Sequence, residues 1–301
     1  MDETPRKLPF STVAVLGPGL LGGSIAKAVR EHMRGCELRL WARRKAPLLM
    51  AEEMGITRRT CLDIQDAVRG ADLIILATPI GVFPDLAECM IPALSPGALV
   101  TDVGSVKGSV HHSAGERLTR AGHFFIGSHP MAGAESQGLE HARAELLRGA
   151  VVALTNPHNA PAELLERLTA FWHELGCRTC ELSPEQHDAA VARISHLPHI
   201  LAALGARNAV GGNVPDDRLQ MLAATGFRDT TRVSAGGAAM WTDILSGNRN
   251  AVLSALQDSI EDLRRLALLL EQQDTHALCA WLEEARQARE RIIPGSPNHH
   301  A

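Results

Sequence analysis

The sequence predicts an α/β fold in which a domain with a doubly wound, mostly parallel sheet is followed by an all-α domain. In the first half of the 301 residues, apolar runs of strand length alternate with helix-like segments, which is the pattern of successive βαβ units. From Pro184 onward no strand-like run follows, and alanine and leucine recur with a helical period. We therefore predict a sheet domain at residues 9–182, a helical domain at 183–293 and a disordered tail at 294–301.

The elements of the first domain can be placed in order along the chain. Apolar runs predict strands at 13–16, 38–41, 73–77, 99–103, 124–126 and 151–154. Helices are predicted at 25–32, 83–91 and 161–175. A last short strand carries Cys177 and Cys180. This CxxC pair lacks the further ligands of a zinc site and the strand-to-helix context of a redox pair, so we predict no metal there.

The composition excludes several classes of protein. The net charge of −4 offers no basic excess for nucleic acid. The start of the chain is polar, and no stretch reaches the roughly 18 to 20 consecutive apolar residues of a membrane span, so we predict a cytoplasmic protein. The chain has no tyrosine, and its last lysine is Lys107. Proton transfer by a tyrosine, or by a lysine of the helical domain, is therefore excluded.

A glycine motif follows the first predicted strand and leads into a helix-like segment. Its sequence is Gly17-Pro-Gly19-Leu-Leu-Gly22. In this context the glycines permit a tight turn and let a pyrophosphate approach the N-terminus of the helix. We predict a Rossmann-type dinucleotide site in which Gly17, Gly19, Leu20, Leu21 and Gly22 contact the cofactor.

The residues after the second strand indicate which nicotinamide cofactor is used. An acidic side chain there binds the adenosine ribose of NAD, whereas arginine accommodates the 2′-phosphate of NADP. Between Glu37 and Glu52 there is no acidic residue, and Arg43, Arg44 and Lys45 form a positive cluster. We predict a preference for NADP. NAD is the alternative, if the cluster is only a solvated basic loop.

Further candidates lie after the later strands, where open α/β sheets bind their ligands. Thr78 and Pro79 follow the third strand and Asp102 the fourth, and we expect all three to bind the cofactor. His129 follows the fifth strand. A histidine at the mouth of a dinucleotide site can accept a hydroxyl proton while hydride leaves the same carbon. The residues thus predict a nicotinamide-dependent dehydrogenase.

Taken in order, the motifs resemble those of the prephenate and arogenate dehydrogenases of tyrosine biosynthesis. The matching segments are GPGLLGGS, ATPI, TDVGSVK, GSHPMAG, EQHD, SHLPH and FRDTTR, and they span nearly the whole chain. The resemblance implies oxidative decarboxylation of prephenate to 4-hydroxyphenylpyruvate, with hydride transfer to the cofactor. Arogenate, which carries an amino group where prephenate has a keto group, remains the alternative substrate.

The resemblance also implies roles for single residues. His129 accepts the proton of the ring hydroxyl, and Ser105 hydrogen-bonds that hydroxyl or the histidine. His187 and Asp188 are assigned to helix packing or domain contact. No metal is implied, although His196 and His199 are neighbours on a helix. Binding or support of the substrate is implied for His199, Arg232, His196, Glu135 and Trp241.

Two other classes of protein share part of this pattern and are alternatives to a prephenate or arogenate dehydrogenase. A β-hydroxyacid dehydrogenase resembles this arrangement but places a catalytic lysine on its helical domain, and this chain has none after Lys107. A non-catalytic NADP-binding sensor would use the glycine motif and leave His129 structural. The helical domain has more apolar stripes than about 115 residues can bury in one small bundle, so we also predict a homodimer.

Overall fold

Nine strands form two sheets in the computed structural model, which describes residues 8–133, 136–210 and 214–293. The first six strands form a parallel sheet in the order β3-β2-β1-β4-β5-β6, which is the doubly wound order of dinucleotide-binding folds. The predicted fold class is therefore confirmed. The strands are β1 (Thr12–Leu16), β2 (Glu37–Trp41), β3 (Arg59–Cys61), β4 (Leu73–Leu76), β5 (Leu99–Asp102), β6 (Phe124–Phe125), β7 (Gly127–Pro130), β8 (Val151–Thr155) and β9 (Arg178–Glu181).

Helices cover both faces of the six-stranded sheet. Alternate residues of its strands point to opposite faces, and because both faces are covered, β4 and β5 are buried along their whole length. One face packs against α1 and α7, and the other against α3, α4 and α6. The helices of this half are α1 (Leu20–His32), α2 (Lys45–Glu53), α3 (Ile64–Val68), α4 (Phe83–Met90), α5 (Gly108–Val110), α6 (Glu116–Arg120) and α7 (Ala162–Glu174).

The second sheet corrects two predictions. β7, β8 and β9 form a separate three-stranded sheet, whereas the runs at 124–126 and 151–154 were expected in one sheet. Residues 127–130, expected in a loop after the fifth strand, form β7 and pair antiparallel with β8. Glycine and proline disfavour strands, so the local sequence gives no strand signal here, and pairing with the distant β8 prevails.

The second half of the described chain is helical, as predicted. A π-helical turn, Ala192–His196, joins α8 to α9 just before Pro198, where proline prevents the regular hydrogen bond. Ser183 and Gln186 cap the start of α8 reciprocally. The helices are α8 (Pro184–Val191), α9 (Leu197–Ala209), α10 (Asp216–Leu222), α11 (Thr225–Thr231), α12 (Ala238–Gly247), α13 (Arg249–Glu271) and α14 (Thr275–Ile292).

The chain divides into two compact units, residues 1–251 and 252–301. The predicted domain boundary at 182/183 separates strands from helices and falls inside the first unit. The predicted tail, 294–301, lies outside the described residues. The second unit contains most of α13 and all of α14.

One helical run within the described residues, Pro184–Ala209, has the length and mean hydropathy, 1.2, of a membrane-spanning helix. The sequence did not reveal it because its apolar residues are not consecutive. The run carries the buried polar residues His187, Asp188, His196 and His199. Asp188 accepts hydrogen bonds from the backbone of the loop after β5. These bonds make the run part of the folded first unit.

Candidate active site

The turn between β1 and α1 has the geometry of a dinucleotide cradle. Gly17 has a φ of 108°, and a Cβ there would lie 2.8 Å from the carbonyl oxygen of Ala77. A Cβ on Gly22 would lie 2.2 Å from the carbonyl oxygen of Gly17, so α1 packs directly against the turn. A Cβ on Gly19 would meet nothing within 4 Å, which leaves open space at that residue. In a pyrophosphate site, glycines permit a tight turn, allow the helix to pack closely against it, and leave room for the pyrophosphate to approach the backbone.

The start of α1 and the loop after β4 supply polar groups at the same edge of the sheet. Leu20 and Leu21 begin α1 and are partly exposed, and no side chain caps this helix. Its first backbone N–H groups can therefore bind a phosphate. Thr78 follows β4, and its buried Oγ1 has no hydrogen-bond partner among the described residues. Pro79 beside it is exposed. These groups fit a nicotinamide dinucleotide.

The basic cluster lies next to the glycine turn. Trp41 ends β2, and its carbonyl oxygen accepts a hydrogen bond of 3.0 Å from the backbone N–H of Gly17. Arg43 and Arg44 follow and are exposed, and Lys45 begins α2. These positively charged side chains therefore lie beside the glycine turn and are exposed to solvent.

A buried ion pair lies at the end of β5. Asp102 and Lys107 are both 0% exposed, and the Lys107 ammonium donates to Asp102 and to the carbonyl oxygen of Ser128. Asp102 also accepts hydrogen bonds from the backbone N–H groups of Gly104 and Ser128. Burial raises the pKa of Asp102 and lowers that of Lys107, and the ion pair opposes both changes. The carboxylate of Asp102, a predicted cofactor residue, is engaged inside the protein and holds the loop.

Ser105 lies on the loop between β5 and α5, which is fixed on both sides. Lys107 ties the loop to Asp102 through its side chain, and the backbone N–H groups of Lys107 and Gly108 donate to the two oxygens of Asp188 at 2.8 Å each. Ser105 itself is partly exposed. The loop therefore holds the serine at the carboxyl edge of the sheet before any ligand binds.

His129 lies on β7 and begins a chain of three side chains. Its Nδ1 is 2.8 Å from Nε2 of His187, and Nδ1 of His187 is 2.8 Å from Oδ1 of Asp188. Burial, and then the positive charge of Lys107, hold the pKa of His129 well below its ordinary value. The imidazole is therefore neutral near pH 7. Because Nδ1 is engaged, Nε2 is the nitrogen that can serve a substrate.

Two predicted substrate residues, His199 and Trp241, lie together on the helices, and Arg232 is next in sequence to a residue that His199 contacts. The ring of His199 stacks on Trp241, with centroids 3.5 Å and planes 12° apart. His199 also hydrogen-bonds the backbone of Val233, while its buried Nδ1 has no partner within the described chain. Arg232, the neighbour of Val233, is exposed. A guanidinium on the residue next to Val233 and an imidazole with a spare nitrogen are both groups that can bind a carboxylate-bearing ligand.

His196 connects this helical cluster to Asp188. Its ring stands edge-on to Trp241 at 6.1 Å, and its Nδ1 is 3.2 Å from the amide nitrogen of Asn248. The same amide donates to the carbonyl oxygen of Asp188 at 2.8 Å. Burial lowers the pKa of His196 to about 4, so it is neutral near pH 7 and accepts from Asn248. His196 therefore supports Trp241 from behind.

Sequence reasoning missed some of these contacts. His187 and Asp188, assigned to helix packing or domain contact, do contact the first half of the chain, and they form the hydrogen-bonded chain behind His129. Asn248 carries no motif, and only its contacts mark it. Glu135 lies outside the described residues. Among those that are described, no group of three or more His, Cys, Asp or Glu side chains can hold a metal ion.

Family models match the chain on both sides of the predicted domain boundary. Residues 25–181 match the nucleotide-binding domain of prephenate dehydrogenase, and residues 183–284 match its dimerisation domain. The chain belongs to the prephenate dehydrogenase family. It is therefore an NAD(P)-dependent oxidoreductase, and the β-hydroxyacid dehydrogenase and sensor alternatives are excluded.

Individual members of the prephenate dehydrogenase family are similar over almost the whole chain. A cyclohexadienyl dehydrogenase of Zymomonas mobilis is 34% identical, over 93% of this chain and 95% of its own. The prephenate dehydrogenase of Aquifex aeolicus, solved with hydroxyphenyl propionate and NAD+, superposes with a TM-score of 0.86 at 28% identity, covering 94% and 98% of the two chains. The arogenate dehydrogenase of Synechocystis gives 0.81 at 33% identity, covering 94% and 100%.

Proposed function

We propose that the chain oxidatively decarboxylates prephenate to 4-hydroxyphenylpyruvate in tyrosine biosynthesis, with NADP as the preferred cofactor. The observation that carries the proposal is the neutral His129. Its Nδ1 is bonded within the protein, and it lies on β7 of the second sheet, where the neighbouring Ser128 hydrogen-bonds the carboxyl end of β5. A base held in this way can act on a hydroxyl group of a substrate bound next to a nicotinamide.

The proposed role of His129 follows from the balance of the reaction. A nicotinamide held by the glycine cradle would supply the acceptor for the hydride that leaves the ring carbon bearing the hydroxyl group. As it leaves, His129 Nε2 takes the hydroxyl proton. The bond between the ring and its carboxylate then breaks, carbon dioxide departs, and the electron pair completes the aromatic ring. The phenolic oxygen recovers the proton from His129, so no net proton is released. Ser105 hydrogen-bonds the hydroxyl group or the histidine.

Arg232 is the proposed partner of a substrate carboxylate, with His199 and Trp241 lining the same pocket and His196 supporting it. Glu135 stays a proposed residue of the pocket entrance. Replacing Arg232 with Ala should raise KM for the substrate roughly 10- to 100-fold, the effect of losing a hydrogen bond to a charged group, while kcat changes less. Arg228→Ala is the matched control, since Arg228 is exposed one helical turn away. Equal KM values for Arg232→Ala and the wild type would contradict the role.

Arogenate is the second candidate substrate, because an arogenate dehydrogenase is among the similar solved structures, at 33% identity. The choice of NADP rests on Arg43 and Arg44, which are exposed beside the cradle; the Aquifex enzyme was solved with NAD+. Initial rates with prephenate and arogenate, each against NADP and NAD, test both choices together. We expect the highest kcat/KM for prephenate with NADP. Turnover of neither substrate would overturn the proposal.

We also propose a homodimer that uses the helical half, in keeping with the family's dimerisation domain at 183–284. Large apolar side chains on these helices are exposed in the single chain and would be covered by a second copy. Light scattering at micromolar concentration should give twice the chain mass of 32.3 kDa; a monomeric mass would refute the dimer. The exposed apolar side chains of the helical half include Ile194, Leu204, Met221, Leu222, Leu263 and Leu270.

The net charge and the cysteine content bear on the class of ligand and on the cellular compartment. A net charge of −4 favours a small-molecule substrate over nucleic acid, and we propose that the enzyme works in the cytoplasm, where its six cysteines stay reduced. Fractionation of cells that express the chain, with activity recovered in the membrane fraction rather than the soluble one, would contradict this.

A further inference from the structure

We propose that His187 and Asp188 are positioning residues that decide which ring nitrogen of His129 acts as the base. We also propose that Asp188 links this choice to the loop of Ser105. The inference rests on the proposed function in one respect only, that His129 is the base. It assigns to two residues of α8 a task that helix packing alone would not require.

The first step concerns the protonation of Asp188. Its Oδ1 accepts from His187 Nδ1 and from the backbone N–H of Lys107, and its Oδ2 accepts from the backbone N–H of Gly108, each at 2.8 Å. Burial alone would raise the pKa of Asp188, but these three hydrogen bonds outweigh it and lower that pKa below its usual value. An ionised carboxylate can only accept hydrogen bonds. His187 must therefore carry a proton on Nδ1.

The second step follows the proton along the chain. In a neutral imidazole, a proton on Nδ1 leaves a lone pair on Nε2. As long as His187 is neutral, its Nε2 accepts, and its partner at 2.8 Å, His129 Nδ1, supplies the proton. His129 in turn keeps a lone pair on Nε2. Two successive hydrogen bonds thus select the tautomer of His129 that can accept a hydroxyl proton.

The third step distinguishes this role from packing. His187 is 0% exposed, and both of its ring nitrogens bond within the chain, so the histidine is used for its polarity and not only for its volume. When His129 takes up a proton, the carboxylate of Asp188 at the far end of the chain stabilises the charge, as in other acid-histidine pairs. The same carboxylate holds the backbone on the far side of Ser105. Asp188 therefore helps to position both Ser105, through the loop, and His129, through His187.

Two substitutions of His187 separate positioning from packing. Gln can place an amide oxygen where Nε2 of His187 lies and still accept from His129, whereas Leu keeps similar bulk and accepts nothing. We expect His187→Leu to lower kcat by about 10²-fold and His187→Gln to stay within about tenfold of the wild type, with little change in KM. His112→Gln, at an exposed histidine whose side chain is 82% accessible, is the matched control. Equal kcat for the Leu and Gln variants, in folded protein, would overturn the proposal.

A spectroscopic measurement tests the tautomer without any substrate. In full-length protein labelled with ¹⁵N-histidine, NMR distinguishes a protonated from an unprotonated ring nitrogen. We expect His129 in the wild type to be protonated at Nδ1 and unprotonated at Nε2, and His187→Leu to lose this preference. A proton on Nε2 of His129 in the wild type, or an unchanged preference in His187→Leu, would contradict the inference. The result stands even if the chain turns over neither prephenate nor arogenate, so the two proposals can fail separately.

Discussion

Two regions of this protein hold their charges in opposite ways: the catalytic edge, formed by Asp102, Ser105, Lys107 and His129, and the basic loop, formed by Arg43, Arg44 and Lys45. At the catalytic edge, Asp102 and Lys107 are fully buried and bonded to each other and to the backbone. In the basic loop, Arg43 and Arg44 are exposed. The first arrangement is complete before a ligand arrives, and a solvated loop loses part of its electrostatic energy to water and salt. Changes at the catalytic edge should therefore have large effects, and changes in the loop should be modest and depend on salt.

The largest effect is expected at His129. Replacing it with Asn removes the base but keeps a small polar side chain, and kcat should fall by roughly 10²- to 10⁴-fold, the usual contribution of a general base. The dissociation constant for the cofactor, measured by fluorescence titration, should stay the same because the cradle is untouched. His112→Asn, at an exposed site, is the control. A His129→Asn enzyme with wild-type kcat would remove the catalytic edge from the mechanism.

The next effect is on stability, and Lys107 tests it. Lys107→Met leaves Asp102 buried without its counter-charge, which should lower the free energy of unfolding by about 3–5 kcal/mol. Urea denaturation measures this. Lys45→Met in the exposed basic loop should change it by less than about 0.5 kcal/mol.

A double substitution tests whether the loss of stability arises from the unpaired carboxylate of Asp102. If the loss arises from the unpaired carboxylate, adding Asp102→Asn to Lys107→Met should recover part of the stability, as a double-mutant cycle would report. Equal losses for Lys107→Met and Lys45→Met would show that the buried pair contributes no more than a surface charge, and the comparison of the two regions would fail.

The smallest effect is expected in the basic loop. Replacing Arg43 and Arg44 together with Ala should lower kcat/KM for NADP by about tenfold and leave kcat/KM for NAD nearly unchanged, because only NADP carries the 2′-phosphate. The loss should shrink at high salt, where exposed charges are screened. Equal losses with the two cofactors would show that these arginines do not select the phosphate.

The sequence predicted best what depends on neighbouring residues. The glycine turn, the alternation of strands and helices in the first half and the helical second half follow from local patterns, and the structure confirms them. The strand β3 has only three residues, too few for a periodic signal. β7 forms only by pairing with a strand more than twenty residues away. Such pairing cannot be read from Gly127 or Pro130.

The same limit explains which contacts within the site the sequence could not predict. His129 and His187 are 58 residues apart, and although a domain contact was among the roles expected of the EQHD segment, the sequence did not indicate that the partner of its histidine is His129. Asp102 ends a strand at the binding edge, as the sequence predicted, but the sequence did not show that its carboxylate turns inward to Lys107. Motifs identified which segments meet at the site, and only the fold determined which polar groups bond to one another.

The pH dependence of kcat/KM in the wild-type enzyme tests most directly that the catalytic edge is set before the substrate binds. This parameter reports the ionisation of the free enzyme. The base acts when it is deprotonated, and burial and Lys107 lower the pKa of His129, so activity should persist as the pH falls through 6.5 and decline only at more acidic pH. Circular dichroism at each pH confirms that the chain stays folded. An acid limb centred at or above pH 6.5 would contradict a neutral, pre-positioned His129.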